Sequence, residues 1–575
     1  MERRTFVGLC SVAGLSHRGL PDALWTVSRA QGPGQQAQEP GKITKEMLAA
    51  AETVIGLEFA DADRDLMLTN LNNALAGYTA LRKVELPNPV LPALRFDPVT
   101  PSIRSIGPAS SDRSRVRKKR RPKRGAAPPR PARPEDLAFL TVGQLGALLR
   151  AGRTSSVELT QLALDRLKRF DPDLLAVVHL TEERALRQAR QADEELGKGR
   201  DRGPLHGIPW GAKDLLAVAG YPTTWGSPIY QEQMLGQDAT VVERLDAAGA
   251  VLVAKLSLGE FAQGDVWYGG TTKNPWKTDQ GSSGSSAGPA SAVAAGCVPF
   301  AIGSETLGSI VSPATRCGVT GLRPTFGRVS RHGAMALSWT MDKLGPMCRS
   351  AADCGLVLAA IEGPDGRDPT VASRPLGWVP GNAVGGLRIG YFKTAFEADH
   401  PTKAFDTTAL EVLRGMGWEL IPVELPTELP ISSLRIILTS EAAAAFDDIT
   451  RSGRDDQMVQ QTRGAWPNSF RSARFIPAVE YIQANRVRSL LMEKMDQVMA
   501  AVDLFVTPTG GPGVLLATNL TGHPALVLPN GFNPDGTPVS LSFIGRLYGE
   551  AELLAAGEAY QAVTDFHTRR PVKFS

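Results

Sequence analysis

Beyond residue 137 the chain alternates helical hydrophobic patterns with short runs in which nearly every residue is apolar, and this alternation limits the folds open to it. ATVVERLDAAG reads as a helix leading into the apolar run Ala250–Ala254, VDLFVTPT lies near residue 505, and PALVLPNGF lies near residue 530. Leu145, Leu148 and Leu149, then Val157, Leu159, Leu162 and Leu167, place helices over 140–200. Strands so uniformly apolar must be covered on both faces, because an exposed face would put every second residue in water. The expected fold is therefore α/β, arranged α/β/α, with a mixed, twisted central sheet covered by helices. Hydrophobic residues at 42% and charged residues at 21% fit a folded chain and exclude a fibrous or wholly disordered one. No apolar run reaches the roughly eighteen residues a membrane helix needs.

The first 137 residues have a different texture. MERRTFVGLCSVAGL pairs Arg3 and Arg4 with a short apolar stretch, the pattern of a twin-arginine export signal, so residues 1–42 are expected to be a signal-like segment and linker. On that reading the protein is periplasmic or exported; without it the protein stays cytoplasmic. Thr44 can cap a helix carrying Met47, Leu48, Ala51, Val54 and Ile55, and Leu68, Leu71, Leu75 and Tyr78 recur at helical spacing. Residues 43–82 thus read as a helical hairpin with a structural role. Residues 83–137 are rich in Pro, Ser and Arg and read as a basic linker, leaving 138–575 as one folded region.

Eleven Lys and Arg, with no acid, fall between residues 113 and 133, and taking them from the net charge of +4 leaves −7 elsewhere. A nucleic-acid or anionic-surface partner would rest on that run alone, and a solvated loop is the more economical reading. Five cysteines (Cys10, Cys297, Cys317, Cys348, Cys354) are too few and too unevenly placed for a disulfide framework and read as free thiols. The seven histidines form no HExxH or HxH cluster, which argues against a metal site.

Three segments carry candidate chemistry. In GIPWGAKDLLAVAG, residues 207–220, Lys213 is framed by Gly, Ala, Trp and aliphatic residues, and burial there would disfavour its charge. Taken alone, a lysine beside Asp214 is more often a salt-bridged one. GSSGSSAGPASAVAAG, residues 281–296, is a Gly/Ser loop running into small residues, and it lacks the GK[ST] ending of a phosphate-binding loop. GSETLGSIVSPATRCGVTGLRPTFGRVS, residues 303–330, places Ser309 after a tight turn.

Together these segments are far more specific than any one of them. Lys213, the Ser285/Ser286 pair and Ser309 stand in the order and spacing of the amidase signature family, and TKNPW (272–276), DKLGP (342–346) and NLTGHPALVLPNGF (519–532) extend the likeness. From about residue 138 to 570 the chain resembles an amidase signature enzyme, related to fatty acid amide hydrolase, bacterial amidases and the amidase subunit of glutamyl-tRNA amidotransferase. The resemblance implies a Ser, cis-Ser, Lys triad: Ser309 attacks an amide carbonyl, Ser285 passes the proton on, and Lys213 receives it. It further implies a cis peptide before Ser285, an oxyanion hole of N–H groups from Thr306, Leu307, Gly308 and Ser309, supporting roles for Ser286 and Glu305, and no metal or cofactor. The partner would be a small-molecule amide; self-association is left open. Ester or carbamate hydrolysis with the same triad, and the glutaminase subunit of a tRNA amidotransferase, are the alternatives.

For Lys213 to accept a proton near neutral pH its pKa must fall from about 10.4 to about 7, a preference of about 4 kcal/mol for the neutral amine, which burial can supply. Three positions depart from the family pattern: Leu307 stands where glycine is usual, Val311 where arginine is usual and Glu305 where aspartate is usual. If that glycine adopts positive φ, Leu307 strains the turn. With Glu305 in place of the usual aspartate and its arginine missing, Arg316 is the expected substitute partner.

Overall fold

The fold was analysed in a computed structural model, which describes residues 42–85, 94, 128–381 and 386–575. The paired arginines at the start and most of the basic run lie outside the described residues. Two compact units are present, one of residues 42–85 with 429–489, the other of 128–428 with 490–575.

In the smaller unit, α1 (Lys45–Ile55) and α2 (Asp61–Leu81) form a hairpin. The Thr44 hydroxyl accepts the Met47 N–H and caps α1. The buried face differs from the one read in the sequence: Met47 and Val54 are exposed, whereas Leu48, Phe59, Met67 and Leu71 form the core with Phe475 packed against it. The reason is polar. Glu52 is buried at the hairpin bend, where it accepts the Phe59 N–H at 3.2 Å and pairs with Arg64 at 2.8 Å, so α1 turns this face inward. Residues 429–489, which the sequence reading kept within the large folded region, share this unit. Arg471 on helix Trp466–Ala473 pairs with Asp63 of α2 and with Asp455.

The larger unit is built on an eleven-stranded sheet. Its strands are β1 (Val177–Leu180), β2 (Pro209–Lys213), β3 (Val251–Leu256), β4 (Phe300–Glu305), β5 (Thr320–Arg323), β6 (Lys343–Cys348), β7 (Ile389–Phe392), β8 (Leu420–Val423), β9 (Leu504–Pro508), β10 (Ala525–Phe532) and β11 (Pro538–Gly545). Their order is β1-β3-β2-β4-β6-β5-β10-β11-β9-β7-β8. Parallel pairs join β3, β2 and β4 at one end and β9, β7 and β8 at the other, with antiparallel ladders between them. Every residue of β2, β3, β4, β5, β6, β9 and β11 is buried, so both faces of the sheet are covered, as the uninterrupted apolar runs require. The α/β reading therefore holds. Cys297, Cys317, Cys348 and Cys354 are buried free thiols. Among the described residues no helix is long and apolar enough to cross a membrane.

Candidate active site

Parallel neighbours end at the same edge of a sheet, and here that edge collects the chemistry. Lys213 is the last residue of β2, and Ser304 and Glu305 close β4 beside it, with Ala212 in register with Ile302. The Gly/Ser loop reaches the same edge before α3 (Ala287–Ala294), and the turn carrying Ser309 follows β4 and leads into α4 (Val311–Cys317). The Ser286 N–H donates to the Ser309 carbonyl at 3.0 Å, tying the two serine loops together. Gly303 permits the fit, since a Cβ there would come within 2.7 Å of the Ser286 hydroxyl. The Gly284–Ser285 peptide is cis.

The Lys213 amine is fully buried and contacts hydroxyls: Ser285 Oγ at 2.8 Å, Ser304 Oγ at 2.9 Å and Ser286 Oγ at 3.0 Å. Burial pushes its pKa well below the ordinary lysine value, against the opposing charges of Asp342 and Glu305. A neutral amine offers two N–H donors and one lone pair. The Ser286 hydroxyl donates to the Ser304 carbonyl and accepts the Ser304 N–H, both at 3.1 Å, so toward Lys213 it can only accept. In the neutral form one amine hydrogen goes to Ser286, which leaves one hydrogen and the lone pair for the Ser285 hydroxyl and for Ser304, whose carbonyl also lies 3.5 Å from the amine. Exposure rises from Lys213 (0%) through Ser285 (1%) to Ser309 (7%), so of these three Ser309 is the most open to an incoming molecule. Among the described residues no hydrogen bond joins the Ser309 hydroxyl to Ser285.

The turn from Thr306 to Ser309 is clamped from two sides. Glu305 Oε2 accepts the N–H groups of Ile310 and Val311 at 2.8 and 2.9 Å, and its Oε1 accepts from Arg323 at 2.7 Å and from the Asn519 amide at 2.9 Å. Burial alone would raise the Glu305 carboxyl, but the charges of Arg323 and Lys343, with the Val311 and Arg323 hydrogen bonds, hold it at about 2. On the other side the Thr306 hydroxyl donates to Asp342 at 2.6 Å, and Asp342 is fixed by the Leu337 and Ser338 N–H groups. Within the turn, the N–H groups of Thr306, Leu307, Gly308 and Ser309 donate to no partner among the described residues, although Thr306, Gly308 and Ser309 are buried. Buried N–H groups without a partner are rare in folded proteins, and a clamped run of them is suited to an anion.

Two expectations for this turn are corrected. Leu307 does not strain it, because the left-handed residue is Gly308 (φ 88°) and Leu307 is absent from the positive-φ positions. Arg316 does not serve Glu305: it bonds to Gln280 at 3.2 Å, while Arg323 of β5 reaches the carboxylate. Arg323 and Asn519 were missed as partners, although both stand in the GLRP and NLTGHP segments that carry the resemblance. Asp214 also leaves its sequence neighbour, pairing with Lys255 of β3 at 2.6 Å.

Comparison with known proteins places the chain in a family. The family model described as Amidase matches residues 158–513. The A subunit of the Chloroflexus aggregans glutamyl-tRNA(Gln) amidotransferase is 41% identical over 486 residues, covering 76% of this chain and 99% of that one. Its counterpart from Methylococcus capsulatus is 36% identical over 482 residues, covering 75% and 98%. Among solved structures, the native peptide amidase from Stenotrophomonas maltophilia aligns with a TM-score of 0.68 at 33% identity, covering 77% of this chain and 100% of that one. The chain belongs to the amidase signature family of amidohydrolases.

Proposed function

We propose that the protein hydrolyses a C–N amide bond through an acyl-enzyme on Ser309, with Ser285 as proton bridge and Lys213 as general base. The observation that carries this reading is a fully buried lysine amine in contact with three serine hydroxyls. With one N–H donated to Ser286 and the second to Ser304, the lone pair faces Ser285. As the Ser309 oxygen bonds to the amide carbon, its proton moves to Ser285 and the Ser285 proton moves to Lys213. The carbonyl oxygen becomes an oxyanion in reach of the N–H groups of Thr306 to Ser309. Collapse breaks the C–N bond, the leaving amine takes the proton back from Lys213 by way of Ser285, and water repeats the sequence to free the acid and restore Ser309.

The similarity to amidotransferase A subunits favours a second reading, in which the same chemistry serves as a glutaminase within a complex. A panel of primary, anilide and peptide amides, with glutamine, esters and carbamates as further arms and product detection by mass, separates these possibilities. Amide turnover by the isolated chain that disappears in Ser309→Ala supports the amidase. Turnover of glutamine alone, and only with co-purifying partners, would replace it with the second reading. Undiminished activity in Ser309→Ala removes both. Export through the twin-arginine pathway remains part of the proposal, tested by whether Arg3→Lys with Arg4→Lys keeps the protein inside the cell.

A further inference from the structure

Arg316 lies on α4, the helix that begins two residues after Ser309, and its side chain is exposed. Because Arg323 satisfies Glu305, Arg316 is left with one hydrogen bond, to Gln280, and makes no ion pair among the described residues. A guanidinium carries five N–H donors in a planar fork, so most of its donor capacity is unspent. Two open clefts share Arg316 and Ser283 as lining residues. One, of about 480 Å³, includes Asp265 and Gln280; the other, of about 290 Å³, includes Ser312, Thr509 and Asn533. Ser283 is two residues before Ser285 and Ser312 three after Ser309, so both clefts border the serine loops. The one carboxylate among the lining residues, Asp265, accepts the Ser283 N–H at 2.8 Å and holds that loop.

We propose that Arg316 is a specificity-determining residue that binds a carboxylate on the substrate, so that the favoured amides carry a carboxylate a few bonds from the scissile C–N bond. The inference rests on the amidase reading and concerns which amide is cleaved. An exposed ion pair in water contributes little, but a planar, bidentate pair inside a cleft that the substrate itself closes is stronger and directional. The hydroxyl and amide side chains around Arg316 suit the same polar group.

The test compares the monoamides of succinic, glutaric and adipic acids with alkanamides of matched length, and benzoylglycine with N-ethylbenzamide, in wild type, Arg316→Gln and Arg316→Glu. The wild type is expected to prefer the carboxylate-bearing member of at least one pair by about 10-fold in kcat/KM, with the preference lost in Arg316→Gln and neutral-amide turnover held within about 2-fold. Arg316→Glu should reject the acids further. No such preference in the wild type, or one untouched in Arg316→Gln, overturns the proposal. Calorimetric titration of succinate, glutarate and adipate into Ser309→Ala, with and without Arg316→Gln, needs no turnover. Binding that depends on Arg316 supports the site even if every amide is inert, in which case the amidase reading alone fails; absence of binding counts against the site.

Discussion

Among the described residues two lysines on adjacent parallel strands are fully buried, and their surroundings give them opposite uses. Lys255 of β3 meets the Asp214 carboxylate at 2.6 Å, the Thr223 hydroxyl at 2.6 Å and the Pro222 carbonyl at 2.6 Å. Lys213 of β2 meets serine hydroxyls instead. Burial lowers the pKa of both amines, but at Lys255 the paired carboxylate opposes it at contact distance, whereas at Lys213 the opposing carboxylates of Asp342 and Glu305 act only through their charge. A lysine with a carboxylate is a structural ion pair; one among hydroxyls is equipped to exchange protons. Lys213 ends β2 and Asp214 opens the turn that follows, closed by the Leu216 N–H on the Lys213 carbonyl at 3.0 Å, and the carboxylate is held by Lys255 rather than by the candidate base beside it in sequence.

That contrast can be broken from either side. The largest effect is expected from Lys213→Met, which should lower kcat by about 10³-fold or more, since a general base and the network it organises are lost together. The remaining activity should also lose its acid limb. Because burial lowers the Lys213 pKa, the neutral amine exists well below pH 10.5, so wild-type activity should climb as that amine loses its proton and then level off. A limb that persists unchanged in Lys213→Met assigns the titration to another group.

Lys255→Met is expected to act on stability instead. It leaves Asp214 buried without its cation, at a cost of about 3–5 kcal/mol, readable in urea unfolding, while the acid limb of activity stays where it was. A shifted limb with little loss of stability would reverse the roles assigned to the two lysines. The smallest expected effect is from Ser304→Ala, about 10-fold in kcat with KM unchanged, because the amine loses the acceptor that fixes its second hydrogen. Ser304→Thr, which keeps the hydroxyl, should restore most of it. An equal loss in both variants would point to packing at the strand end.

How far the sequence could be read follows the same division between local and distant. Strand character, the Thr44 cap and the grouping of Lys213, Ser285, Ser286 and Ser309 were legible, because each is encoded by local pattern or by motifs that occur together. Partners two strands apart were not. Glu305 and Arg323 sit on β4 and β5 with β6 between them, and Asn519 precedes β10, so their meeting depends on a strand order that no local pattern states. Arg316 was the nearer arginine in sequence and the wrong one. The inward face of α1 was misread because a buried Glu52 takes a place that an apolar pattern reserves for hydrophobic residues.

The central claim is that a neutral Lys213 activates Ser309, and it can be tested without knowing the substrate. The rate at which a fluorophosphonate labels the protein would be followed from pH 5 to 10 in wild type and Lys213→Met, with the modified residue located by peptide mass. The expected result is label on Ser309, faster with rising pH along a limb well below pH 10.5, and both the rate and the limb lost in Lys213→Met. Label elsewhere, or on Ser309 at the same rate and with the same limb in both proteins, would contradict the account.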